Sequence, residues 1–141
     1  MGCEIHTFDP TLSEPFIGDE HATFHPWGFG EDGKASSLQK KRWTAKGLHT
    51  VMKELGHLNR TIDVLKIDCE QCEYDVLPAF LPLVARDVIR VDQILIELHI
   101  DGHTNSSKVR NLFDHVDRAR YRIFHKVSLP RTAPDFVSWT Y

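Results

Sequence analysis

Ile62-Asp-Val-Leu-Lys-Ile-Asp-Cys-Glu-Gln-Cys-Glu-Tyr-Asp-Val-Leu77 is the stretch that decides the fold. Ile62 to Ile67 is a compact apolar run rich in β-branched residues, which suits a buried parallel strand. Three carboxylates follow, Asp68, Glu70 and Glu73, and a helical pattern runs from Tyr74 to Asp87. In an open α/β sheet, ligands bind at the carboxyl ends of parallel strands. Acids gathered there have a functional reading that acids on a solvated helix face lack.

The flanking sequence repeats the alternation of strand and helix. Glu4 to Phe8 alternates as a short strand that ends at Asp9-Pro10, and Ala22 to Trp27 reads as a second strand. Residues 31–45 are polar and read as a surface loop. Leu48, Val51, Met52, Leu55 and Leu58 recur at helical spacing, which predicts a helix near 46–58. In the helix after the acids, Pro78 fits only a first turn, and Pro82 is expected to kink or split it. Val91 to Ile100 is the next strand. Ser106 or Ser107 is the expected cap of a helix carrying Val109, Leu112, Phe113 and Val116 on one face. Tyr121 to Leu129 and Phe136 to Tyr141 read as two last strands without a helix between them, hence an antiparallel hairpin at one edge. The pattern as a whole predicts an α/β domain over residues 1–141 with a mostly parallel sheet.

Composition narrows the function classes. A net charge of -3 gives no electrostatic case for nucleic acid, and the one basic run, Lys40-Lys-Arg42, reads as a solvated loop. No apolar stretch approaches the ~18 residues of a membrane span. Met1-Gly-Cys-Glu-Ile-His6 lacks the basic and apolar regions of a signal peptide, so the compartment stays open, cytoplasmic by default. Nine histidines without regular spacing suggest no metal cluster. Gly28-Phe-Gly-Glu-Asp-Gly33 spells a dinucleotide-binding motif, but no apolar helical periodicity follows it. A glycine-rich surface turn is the better reading.

The order Lys66-Ile-Asp-Cys-Glu-Gln-Cys-Glu73 resembles the Lys-Ile-Asp-x-Glu-Gly-x-Glu signature of FkbM-type and related methyltransferase-like domains. Such domains have the class I methyltransferase fold, a Rossmann-like three-layer sandwich with strand order 3-2-1-4-5-7-6, and use S-adenosylmethionine. By this resemblance Ile5 to Pro10 corresponds to the end of strand two, His25 to Gly28 to strand three, and Ile62 to Glu73 to strand four. Gln93 to His99 corresponds to strand five and Tyr121 to His125 to strand six. The first strand and its glycine-rich turn, which hold the methionine part of the cofactor, have no counterpart, so the fold is read as N-terminally truncated. Omitting that strand leaves strands two and four about 9–10 Å apart. Each unpaired buried backbone group then costs ~1–3 kcal/mol, against a margin of ~5–15 kcal/mol for a small domain. Three resolutions stay open: the chain is a piece of a longer protein, a partner segment fills the gap, or the two strands close up and pair.

The resemblance implies methyl transfer from S-adenosylmethionine, most readily to oxygen on a small-molecule or glycan-like acceptor. Asp9 would hold the ribose hydroxyls, since one carboxylate accepts from two hydroxyls at once. Asp68 and Glu70 would shape the cofactor pocket, and His99, with Asp68, would handle the acceptor proton. Asp68, Glu70 and Asp101 also fit a hard divalent cation, a reading not favoured over a metal-free site. Glu73 reads as a structural acid at a helix start. Gln71 stands where the signature has glycine and would be strained at positive φ. Cys69 and Cys72 read foremost as small packing residues, with a redox pair or half a zinc site as alternatives. A non-catalytic remnant that binds a partner through an exposed sheet edge is the second functional reading.

Overall fold

The computed structural model describes residues 2–12, 21–32, 35–36, 43–100, 104–128 and 136–140. In chain order the elements are β1 (Ile5–Phe8), β2 (Ala22–His25), β3 (Gly28–Phe29), β4 (Ala35–Ser36), β5 (Trp43–Lys46), α1 (Leu48–Glu54), β6 (Thr61–Ile67), α2 (Glu73–Ala85), β7 (Arg90–His99), α3 (Ser106–Arg118), β8 (His125–Ser128) and β9 (Phe136–Thr140).

The strands fall into three sheets. β1 and β2 form a parallel pair, β3-β5-β4 a small sheet, and β6-β7-β9-β8 the principal one. In the principal sheet β6 and β7 run parallel, with Ile67 opposite Ile96. β9 is antiparallel to both β7 and β8. β1 and β6 do not close up and pair, and among the described residues each has an unpaired edge. Two cavities, of about 530 and 460 Å³, lie between them, one lined by residues 6–9 and 66–70, the other by residues 3–6 and 61–66.

One apolar core lies on the principal sheet. Leu65, Ile67, Ile94, Ile96 and Leu98 pack with Tyr74, Leu77, Phe80 and Leu81 of α2 and with Leu112 and Val116 of α3. α2 packs against both α3 and β7. Leu48 and Met52 bring α1 into the same cluster. β6 is less buried than its composition implies, because Val64 on the opposite face is 51% exposed.

Several local expectations need correction. Residues 31–45 contain β4 and the start of β5 rather than only a loop. Gly28 is in a strand, not a surface turn, and Gly30 extends the pairing by donating to the Lys46 carbonyl at 3.1 Å. A Cβ at Gly30 would lie 2.7 Å from that of Ala45, so close packing, not phosphate binding, accounts for that glycine. α2 is continuous through Pro78 and Pro82, and Pro78 stands beyond its first turn. Burial of Tyr74, Val76, Leu77, Phe80 and Leu81 outweighs the hydrogen bonds the prolines forgo. Asn105, not a serine, caps α3, accepting from the Ser107 amide at 2.8 Å. Residues 121–124 are not in a strand, and β8 begins only at His125. The basic run 40–42, Leu129 and the turn 130–134 lie outside the described residues.

Candidate functional site

The site forms where β1, β6 and β7 end. β6 ends at Ile67, opposite Ile96, while β7 continues through Glu97 to His99, so Asp68 leaves its strand beside the last residues of β7. Asp9, just past β1, faces the same place: the larger cavity is lined by Thr7, Phe8, Asp9, Lys66, Asp68 and Glu70, among others. Asp9, Asp68 and Glu70 line one cavity, and His99 lies beside it through its contacts with the two acids that follow β6.

Asp9 closes a local turn and lines the cavity. Its Oδ1 accepts from the Thr11 amide at 2.7 Å and the Thr11 hydroxyl at 2.6 Å, the geometry of an Asx turn. Both contacts use the same oxygen, so Oδ2 is left to receive donors from the cavity. The turn fixes the carboxylate against rotation.

His99 is the most enclosed polar residue of the site after Glu73, at 6% and 0% exposure. Its Nδ1 lies 2.8 Å from Glu73 Oε1. An ionised carboxylate only accepts, so Nδ1 carries the hydrogen. Nε2 then faces Asp68 Oδ1 at 3.8 Å and Glu70 Oε1 at 3.6 Å. Glu73 Oε1 also accepts from the Cys69 amide at 3.1 Å, and the Tyr74 hydroxyl donates to the His99 carbonyl at 3.2 Å. The first turn of α2 therefore clamps the end of β7. Glu73 is read from the sequence as structural only, and its part in orienting His99 was missed. A glutamate at a helix start gives no hint of a partner 26 residues away.

Asp68, Glu97 and His99 each offer a ligand atom, all within 4.8 Å of one another. That spacing suits one hard cation or one substrate hydroxyl. Asp101 and His103, the other sequence candidates, lie outside the described residues.

The loop carrying the acids departs from the packing-only reading of its cysteines. Cys69 and Cys72 form a disulfide with Cα atoms 5.4 Å apart, closing the loop around Glu70 and Gln71. A disulfide offers no thiolate to a metal, so the half zinc site is ruled out in this form. Glu70 and Gln71 have φ of 53° and 87°, the left-handed region expected where the signature carries glycine. The cross-link and the Glu73 contact to Cys69 together hold this strained backbone.

The profile of a methyltransferase-domain family matches residues 1–141. The chain belongs to that family. It is 30% identical over 137 residues to the human "Probable methyltransferase-like protein 24", covering 88% of this chain and 36% of that protein. The rat protein of the same name is 29% identical over 137 residues, with the same coverage. The chain thus spans about a third of the length of the curated relatives it matches, 36%. No solved structure matches it. Among the described residues, no helix of this methyltransferase-domain chain is long and apolar enough to cross a membrane.

Proposed function

We propose that the chain is part of an S-adenosylmethionine-dependent methyltransferase domain of the Rossmann-like three-layer type that transfers methyl to an oxygen nucleophile. The observation that carries this reading is the convergence of Asp9, Asp68 and Glu70 on one cavity of about 530 Å³ at the ends of two strands, with His99 beside it. The donor set fits the cofactor: Asp9 has an oxygen to accept from ribose hydroxyls, and the acids favour a cationic sulfonium.

When bound, the cofactor supplies a methyl group activated by its positive sulfur. Asp9 holds the ribose, with its carboxylate set by Thr11. Asp68 and Glu70 place negative charge along the pocket wall. His99 Nε2 takes the acceptor hydroxyl proton, and Glu73 keeps Nδ1 protonated, so Nε2 is the nitrogen that serves as base. The imidazolium that results is stabilised by the same carboxylate. Positioning supplies the rest of the acceleration.

The paired unpaired edges of β1 and β6 favour one further element. A strand from a partner segment, seated between them, would complete the sheet and bring the backbone that the two strands lack. A purely interaction-based role at these edges, without catalysis, is the alternative.

Methyl transfer from labelled S-adenosylmethionine to a panel of small phenols and glycans tests the proposal. Incorporation by the wild type that His99→Ala abolishes, with cofactor binding retained, is the expected result. Cofactor binding without transfer to any acceptor by the wild type would favour the interaction-based role.

A further inference from the structure

A second cluster of ligating side chains stands away from the strand ends, at the opening of the other cavity. Glu4 Oε1 is 3.1 Å from His6 Nε2 and 3.0 Å from His57 Nε2, and Arg60 holds Glu4 Oε2. His6 Nδ1 in turn lies 3.0 Å from His25 Nε2. Glu4, His6 and His57 each present one ligand atom within 4.8 Å of the others. Both imidazoles are half-buried, while Glu4 is accessible from solvent.

The fold builds this cluster from three separate places. Glu4 and His6 are two apart in extended chain and so lie on one face. His25 arrives by the parallel pairing of β1 with β2. His57 is set by the end of α1, where Gly56 at φ 73° donates to the Lys53 carbonyl and the His57 amide to that of Met52 at 2.7 Å. This is a Schellman closure, which fixes the residue after the glycine. The irregular histidine spacing in the sequence hides the group because its members come from residues 4, 6 and 57.

From these contacts we infer that Glu4, His6 and His57 form a binding site for a borderline-soft divalent cation of the zinc class. Two imidazoles and one carboxylate suit such a metal, with a fourth position open. Tetrahedral coordination at ~2.0–2.2 Å needs ligand atoms about 3.4 Å apart, so the two Glu4–imidazole distances, 3.1 and 3.0 Å, open by only a few tenths of an ångström. The remaining polar contacts are those a metal-bound histidine requires. With Nε2 on the cation, His6 carries its hydrogen on Nδ1 and donates it to His25. Arg60, by fixing Oε2, leaves Oε1 to the metal.

Calorimetric titration of the 141-residue chain with zinc chloride tests the site, with cobalt(II) absorption as a second readout. One equivalent should bind. Removing a ligand by His57→Ala or Glu4→Gln should weaken binding at least about 100-fold, beyond the effect of an orienting partner. His25→Ala should weaken it ~10–100-fold at unchanged stoichiometry, which a mere surface histidine would not do. Asp68→Ala should leave it unchanged, and circular dichroism confirms that each variant is folded. Absence of saturable binding by the folded wild type would overturn the inference. So would binding that survives both His57→Ala and Glu4→Gln, or that Asp68→Ala removes.

Discussion

Glu73 accepts the Nδ1 hydrogen of His99 at 2.8 Å while wholly withdrawn from water, so one buried carboxylate fixes the tautomer and the aim of the imidazole. The other oxygen of Glu73 has no hydrogen-bond partner among the described residues, which makes the pair sensitive to any loss. Breaking such a pair from one side leaves the other member buried and uncompensated. Glu73→Ala should therefore destabilise the domain by about 3 kcal/mol or more in urea unfolding, and Glu73→Gln by less. A loss under half that size would show that the pair is not a structural link.

The strained loop gives a change of opposite sign. Gln71 is held at φ 87°, a conformation costing a residue with a side chain about 1–2 kcal/mol. Gln71→Gly should raise the urea midpoint, with a net gain of about 1 kcal/mol after the added freedom of the unfolded chain. A lower midpoint would mean that the Gln71 side chain makes a compensating contact.

Acid stability should report on Glu4. The Arg60 guanidinium, then His6, hold its carboxyl at about 2, down from an ordinary 4.5. A depressed carboxyl stabilises the fold fully above its unfolded value and loses that contribution as pH falls through the folded value. Wild type and Glu4→Gln should therefore differ by a constant amount at neutral pH. The difference should shrink between pH 4.5 and about 2, as followed by unfolding at stepped pH.

At the alkaline end Tyr121 is the reporter. Its hydroxyl donates to the Val91 carbonyl at 2.6 Å, and burial, then Asp92, push it up to about 12. The neutral phenol is the form the fold favours, so its contribution is complete below the ordinary value of 10.0 and fades as pH rises to about 12. Tyr121→Phe should cost about 1 kcal/mol at neutral pH and flatten the alkaline loss.

The elements that dominate the core were legible because their patterns are local. The apolar run at Ile62 to Ile67 and the helical spacing of Leu112 and Val116 each announce one buried face. Asp68 and Glu70 were legible for a related reason: a strand that ends in acids has a defined place in a sheet. What stayed hidden depends on distant partners. Asp32, for example, supports the start of α1 by accepting from the Gly47 amide at 2.8 Å and the Thr50 hydroxyl at 2.7 Å. No pattern around residue 32 predicts that. The Glu73–His99 contact and the Glu4–His57 pairing are hidden in the same way. Continuity of α2 through two prolines was missed because burial of one helix face outweighed a local penalty.

The most direct test is calorimetric titration of the 141-residue chain with S-adenosylhomocysteine, beside Asp9→Ala. Saturable binding in the micromolar range, lost in a folded Asp9→Ala variant, is the predicted result, because the proposed function assigns the ribose contact to the Asp9 carboxylate. Heat of binding that is unchanged by Asp9→Ala, or a folded wild type that takes up no ligand, would contradict a cofactor site between β1 and β6.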